Sequence, residues 1–307
     1  MIRALVTDGI EKSAAAALTE SGFQVVELAC PEELKEEIQA CDAVIVRSAT
    51  KVMREVIDAA MNTGRLRLIV RGGVGVDNID VAYAREMGIT VRNTPCASSL
   101  AVAELTIGHM FALARKMYIA NMTMKNGLWE KKKLKGIELG GKTLGLIGFG
   151  HIAQEVARLA RAIGMTVIYH TRSGKKAGFD QYEYVPMEEL LKRSDFISLH
   201  IPYDKNTGAT ITEKEFAMMK KGVFLVNCAR GGVVSESALL DALDSGQVAA
   251  AALDVFETEP TNNERLVAHE RVCLSPHIGA STAEAQERIG TEIVGIIREF
   301  FEEEQTA

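Results

Sequence analysis

The stretch TLGLIGFGHIAQEVARLARAIGMTVIYHT, residues 143–171, decides how the rest of the chain is read. It opens on a short β-rich run, turns at Gly148-Phe149-Gly150-His151-Ile152-Ala153, continues as a helix and closes on a second β-rich run. Ile152, Val156, Leu159 and Ile163 recur at helical spacing and are expected to share one face. A lone G-x-G-x-x-A is weak evidence, but between a strand and a helix it marks a dinucleotide-binding turn. Gly148 allows the tight turn, Gly150 lets the backbone approach a pyrophosphate, and Ala153 lets helix and strand pack closely. The pyrophosphate would meet the free N–H groups of the helix start, with His151 beside it.

The same alternation extends in both directions. Downstream, FISLHI, VFLVN, AAALD and VCLS bring the strand count from residue 143 to six, the complement of a doubly wound nucleotide-binding domain. Upstream, IRALV (2–6), FQVVEL (23–28), AVIV (43–46), RLIV (67–70) and ITV (89–91) alternate with amphipathic segments and predict another parallel sheet. SSLAVAELTIGHMFALARKMYIAN (98–121) reads as one long apolar helix connecting two lobes, and 282–301 as an amphipathic helix packing back on the first. The expected architecture is α/β, with two Rossmann-like or flavodoxin-like doubly wound domains and the active site in the cleft between them. Residues 98–283 form the dinucleotide-binding domain; 1–97 with 284–307 form the substrate-binding domain.

Composition narrows the function. The chain of 307 residues is 47% hydrophobic and 25% charged, as in soluble globular proteins. Its net charge of -6 gives no reason to expect nucleic acid or a membrane surface as partner, so an anionic ligand needs a local basic site. Five scattered cysteines, with no C-x-x-C pair, fit reduced thiols in a cytoplasm and no metal site. The opening residues read as a first strand and not as a signal peptide, and no run is long enough to span a membrane.

Open α/β sheets bind ligands at strand C-termini, and polar residues collect there in this sequence. His277, in LSPHIGAST, follows a strand end and can serve as an acid/base near neutral pH or as a structural residue. Arg230, in NCARGG, offers a rigid fork that suits a carboxylate, or a surface ion pair. Asp254 ends another strand, and Glu259 precedes Pro260. Their convergence beside a dinucleotide loop suggests hydride transfer at an oxygen-bearing carbon.

GFGHIAQEVA, NCARGG, ALDVFETEP and SPHIGAST, in that order, resemble the D-2-hydroxyacid dehydrogenases. RGGVGVDNID (71–80) and NTP (93–95) extend the resemblance over the first lobe, and VRSATKV and NGLWEKKK liken the chain most to the phosphoglycerate-oxidising branch, in a short form without a C-terminal regulatory domain. The resemblance implies His277 as proton donor or base, Glu259 as the partner orienting its ring, and Arg230 as the grip on the substrate carboxylate. It also implies dinucleotide contacts at Ile201, Pro202, Cys228, Ala229 and Gly279, and Asp254 approaching the nicotinamide. Backbone N–H groups of Gly72, Gly73 and Val74 would receive the carboxylate, and Arg47 and Arg71 a substrate phosphate. Relatives usually have alanine at the position of Gly72, a change expected to be tolerated. The implied reaction is oxidation of 3-phosphoglycerate at the entry to serine synthesis, by a homodimer. Two alternatives share the fold: a glyoxylate/hydroxypyruvate reductase, and a non-enzymatic module that senses the dinucleotide.

The end of the opening stretch departs from that family. About 20 residues past the glycine loop, an NAD site offers a carboxylate to the adenosine ribose diol. Here the family alignment puts Thr171, followed by Arg172, Ser173, Lys175 and Lys176. Threonine does not repel a 2′-phosphate, and Arg172 suits one, so the expectation is NAD or NADP, with NADP accepted comparably.

Overall fold

The computed structural model describes residues 1–306, with side chains through residue 303. It contains two compact units, Met1–Ser98 with the chain from Ala280 onward, and Ser99–Gly279. In the first, β1 (Arg3–Val6), β2 (Gln24–Glu27), β3 (Ala43–Val46), β4 (Leu68–Arg71) and β5 (Thr90–Asn93) pair in parallel in the order β2-β1-β3-β4-β5. This is one of the two common doubly wound orders. Helices α1 (Lys12–Glu20), α2 (Leu34–Glu37), α3 (Arg54–Met61) and α4 (Val81–Glu86) connect the strands. The two-residue period of a strand sends Leu5, Val44 and Ile69 to one core and Ala4, Ile45 and Val70 to the other. All are fully buried, which is why these strands read as continuous apolar runs.

The second unit holds β6 (Thr143–Ile147), β7 (Thr166–His170), β8 (Glu183–Tyr184), β9 (Phe196–Leu199), β10 (Val223–Asn227), β11 (Val248–Leu253) and β12 (Val272–Leu274). All are parallel, in the order β12-β11-β10-β9-β6-β7-β8. Without β12 this is the 3-2-1-4-5-6 order of dinucleotide-binding domains, with the reversal between β6 and β9. Its helices are α5 (Ser99–Ala114), α6 (Met117–Lys125), α7 (His151–Ala162), α8 (Met187–Arg193), α9 (Glu213–Met218), α10 (Glu236–Asp244) and α11 (Glu264–Val267). The terminal helix α12 (Ala283–Thr306) belongs to the first unit and sends Ile289, Ile293, Ile297 and Phe301 into its core.

The expected pair of doubly wound domains is found, with three differences of detail. Strand β8 adds a seventh strand; its two residues are too few to carry a periodic signal. The helix expected over 98–121 breaks at Lys116, whose φ of 50° is left-handed. The segment after α6 returns to that break: Ile137 N–H donates to Ala114 O, and a Cβ on Gly136 would sit 2.4 Å from the same oxygen. On α7 the fully buried face is Ala153, Val156, Ala157 and Ala160, with Ile152, Leu159 and Ile163 flanking it. Small side chains let α7 lie close to the sheet and to α5. Among the described residues, no helix is long and apolar enough to cross a membrane, and no cluster of potential metal ligands occurs.

Candidate active site

The glycine loop lies where the strand order reverses. Gly148, with φ of 92°, follows β6, and a Cβ there would fall 2.3 Å from the carbonyl oxygen of His200, just past the end of β9. Only glycine fits that turn. Gly150 caps α7 and has open space where a side chain would stand, so backbone can meet a ligand there. The first N–H groups of α7, including those of His151 and Ile152, have no acceptor within the helix. The donor set therefore fits a dinucleotide pyrophosphate. Ile201 and Pro202 follow His200 on the other side of the turn. Burial holds the His200 ring neutral, with its pKa pushed down to about 3.

The basic stretch after β7 folds back onto this loop. Phe149 stacks on Tyr169 with centroids 4.0 Å apart, and Lys176 N–H donates to the Tyr169 hydroxyl at 2.9 Å. Lys176 Nζ then reaches Phe149 O at 3.2 Å, so an ammonium sits against the glycine loop itself. Thr171 Oγ1 donates to Gly174 O at 2.8 Å, and Arg172 is exposed. Sequence reasoning noted Lys176 only as one of a run; the fold-back that singles it out depends on Tyr169 and Phe149 meeting.

At the other strand ends, Asn227 closes β10 and pins the next turn, accepting from Ala229 N–H at 3.1 Å and donating to Arg230 O at 3.0 Å. Arg230 Nη1 donates to Ala229 O at 2.7 Å. Cys228 turns into the core, and burial pushes its thiol up to about 12, so it can offer a ligand only its backbone. A Cβ on Gly231 would meet Phe256 O at 1.6 Å, which brings the turn after β10 against the loop after β11. That loop is clamped to the start of α10: Glu236 and Glu257 each receive the other's backbone N–H at 2.9 Å. Glu259 is thereby presented beside His277. His277 Nδ1 donates to Glu259 Oε2 at 2.6 Å, and Phe256 N–H to Glu259 Oε1 at 3.1 Å. Nε2 of His277 is left for another partner, on a side chain 41% exposed.

Asp254 is 1% exposed and faces inward. Its Oδ1 accepts from Ser275 Oγ at 2.6 Å and Ile278 N–H at 2.9 Å, and its Oδ2 from Gly279 N–H at 2.9 Å. It therefore anchors the loop bearing His277, a role the sequence did not suggest.

In the first unit, Arg47 follows β3 in a loop tied from both sides. Asp8 accepts from Arg47 N–H at 2.6 Å and from the Thr50 hydroxyl at 2.7 Å, while Asn78 donates to the carbonyls of Arg47 and Thr50 at 2.7 and 2.6 Å. Asp8 lies two residues beyond the end of β1, and a polar residue just past a strand was the signal by which it could have been found. Arg71 folds over its own turn: Nη1 donates to Gly72 O at 3.1 Å and fills the space a Cβ on Gly73 would need. A Cβ on Gly72 would lie 3.2 Å from methyls of Ile289 and Ile293, so alanine requires α12 to yield by tenths of an ångström. Val74 O accepts from Asn93 Nδ2 at 2.6 Å.

Residues 107–279 match the family model for the D-isomer specific 2-hydroxyacid dehydrogenase NAD binding domain. The chain belongs to the D-2-hydroxyacid dehydrogenases. A hydroxypyruvate reductase of Thermotoga maritima is 50% identical over 266 residues, 86% of each chain. A D-3-phosphoglycerate dehydrogenase of Methanocaldococcus jannaschii is 46% identical over 95% of this chain. The chain spans only 56% of that enzyme's length. Among solved dehydrogenases of the fold, an NADPH-dependent glyoxylate/hydroxypyruvate reductase of Sinorhizobium meliloti superposes with a TM-score of 0.85 at 28% identity, covering 98% of this chain and 93% of its own.

The His277–Glu259 pair gives this dehydrogenase a definite acid response. Burial alone would raise the Glu259 carboxyl, but hydrogen bonds from His277 and Phe256 and the charges of His277 and Arg230 outweigh it and hold it below its ordinary 4.5. A depressed carboxylate contributes stability that is complete above the ordinary value and is lost as pH falls through the depressed one. Urea unfolding of the parent and of Glu259→Gln should therefore differ most near neutrality, and the gap should narrow as pH falls below the ordinary carboxyl value of 4.5. A gap independent of pH would refute this.

Proposed function

We propose that the chain interconverts a D-2-hydroxy acid and its 2-keto acid, with 3-phosphoglycerate as substrate. The observation that carries this reading is the 2.6 Å bond between His277 Nδ1 and Glu259, with Arg230 close enough to lower that carboxyl. When bound, the nicotinamide supplies or accepts the hydride. In the oxidising direction His277 Nε2 takes the hydroxyl proton; in the reducing direction it returns one to the carbonyl oxygen. Glu259 holds Nδ1–H, which fixes the ring's orientation and leaves Nε2 as the proton-transferring atom. Arg230 forks onto the substrate carboxylate and polarises the reacting oxygen. Gly72, Gly73 and Val74 supply carboxylate N–H donors, and Arg47 and Arg71 bind the phosphate. The tied loop at Arg47 supports the phosphorylated substrate, and the likeness to the Thermotoga enzyme supports hydroxypyruvate as the second reading.

Thr171, Arg172 and Lys176 favour NADP(H) alongside NAD(H), since uncharged Thr171 does not repel the 2′-phosphate and two cations can bind it. A second copy of the chain is the partner. Met117, Met122, Met124 and Trp129, 54–78% exposed on α6 and the following turn, are apolar side chains it would cover. Five free thiols suit a cytoplasmic location.

Assayed with both substrates, the enzyme should favour 3-phosphoglycerate over its unphosphorylated counterpart in kcat/KM, and Arg47→Ala should remove most of that preference. An unchanged kcat/KM without the phosphate leaves hydroxypyruvate reduction as the activity. His277→Asn should lose about 100-fold or more in kcat while still binding dinucleotide; parental turnover would point to a binding module. For the cofactor, Arg172→Ala with Lys176→Ala should lower kcat/KM for NADPH about 10-fold or more and leave NADH little changed. A parental preference for NAD above ~100-fold, roughly 2.7 kcal/mol, removes the NADP assignment. Light scattering should give twice the chain mass and Trp129→Glu the monomer; a monomeric parent removes the dimer.

A further inference from the structure

The loop that carries His277 is held by a line of hydrogen bonds that runs into the interior and ends at a histidine the proposed reaction does not use. His109 lies on α5 and is 6% exposed. Its Nε2 is 2.9 Å from Ser275 Oγ, which is itself 2.6 Å from Asp254 Oδ1. The direction of each bond follows from what each group can do. A carboxylate only accepts, so the Ser275 hydroxyl gives its single proton to Asp254. His109 must then donate to Ser275 from Nε2, which leaves Nδ1 a bare acceptor. Cys273 Sγ, 3.8 Å from Nδ1, is the donor that completes the line. Burial pushes His109 down and the Cys273 thiol up, so both stay in the neutral forms this arrangement needs.

The other end of the line controls the backbone of the proposed acid/base. Ser275 O accepts His277 N–H at 3.1 Å, and Asp254 accepts the N–H groups of Ile278 and Gly279. Between these anchors His277 is held at a φ of 52°, a left-handed conformation that a residue with a side chain adopts only when its surroundings impose it. The aim of Nε2 depends on that backbone.

We propose that His109 is a positioning residue for His277. By donating to Ser275 it keeps that hydroxyl pointed at Asp254, keeps Asp254 turned to the 278–279 backbone, and so fixes the imidazole in its working orientation. The proposal rests on the reading of His277 as acid/base. The alternative is a core histidine whose partners only satisfy its own polar atoms.

The test compares His109→Leu, His109→Gln, Ser275→Ala and the His109→Leu/Ser275→Ala double variant, with His277→Asn as reference, using whichever of 3-phosphoglycerate or hydroxypyruvate the parent turns over. His109→Leu and Ser275→Ala should each lower kcat about 10-fold with KM and dinucleotide affinity within about 2-fold, the pattern of a contact that matters in the transition state. The double variant should lose no more than either single, because both break one line. His109→Gln, whose amide N–H can reach Ser275, should recover most of the loss. Ser275→Ala removes one oxygen and reads the same link if the leucine variant does not fold. Parental kcat in Ser275→Ala, an additive loss of about 100-fold in the double variant, or a glutamine variant as impaired as leucine would each overturn the proposal. Parental turnover in His277→Asn would instead remove the acid/base reading on which it stands.

Discussion

A carbonyl oxygen occupies the space beside Gly148 where any other residue would carry its side chain, and the dinucleotide loop is built on that contact. It joins the ends of β6 and β9 at the reversal of strand order and sets the entry of α7, hence the direction of its free N–H groups. The arrangement recurs at Gly231 against Phe256 O, which brings the turn bearing Arg230 to the loop bearing Glu259. Backbone meets backbone at both points.

The charges at these strand ends are arranged by the same economy. Asp254 and Glu259 both accept N–H groups, so their charge is compensated before any ligand arrives. The cations are placed differently: Lys176 reaches the glycine loop and Arg172 is exposed, in a chain of net charge -6.

Much of this was legible in the sequence because it rests on short-range patterns. Strands β1, β3, β4, β6 and β10 carry short apolar runs, Gly148 directly follows β6, and Arg230 and His277 each lie three residues beyond a strand. What escaped depends on contacts between distant segments. The break at Lys116 is tied to Gly136 and Ile137, about twenty residues on. The inward turn of Asp254 needs Ser275 and Gly279, and the distinction between Lys175 and Lys176 needs the Phe149–Tyr169 stack. His109 is buried, and its link to Ser275, 166 residues away, has no local signature.

The membership of α12 in the first unit has a consequence for synthesis. Gly72 packs on Ile289 and Ile293, and Ile297 and Phe301 complete the same core. On the ribosome the second unit, a single uninterrupted segment, is finished while the first still lacks one layer of its interior. The N-terminal lobe is therefore the last to close, and until then one face of its sheet, with Ala4, Ile45 and Val70, stays incompletely covered. A chain that stalls after Gly279 leaves the dinucleotide domain whole and an apolar sheet face that chaperones would have to shield.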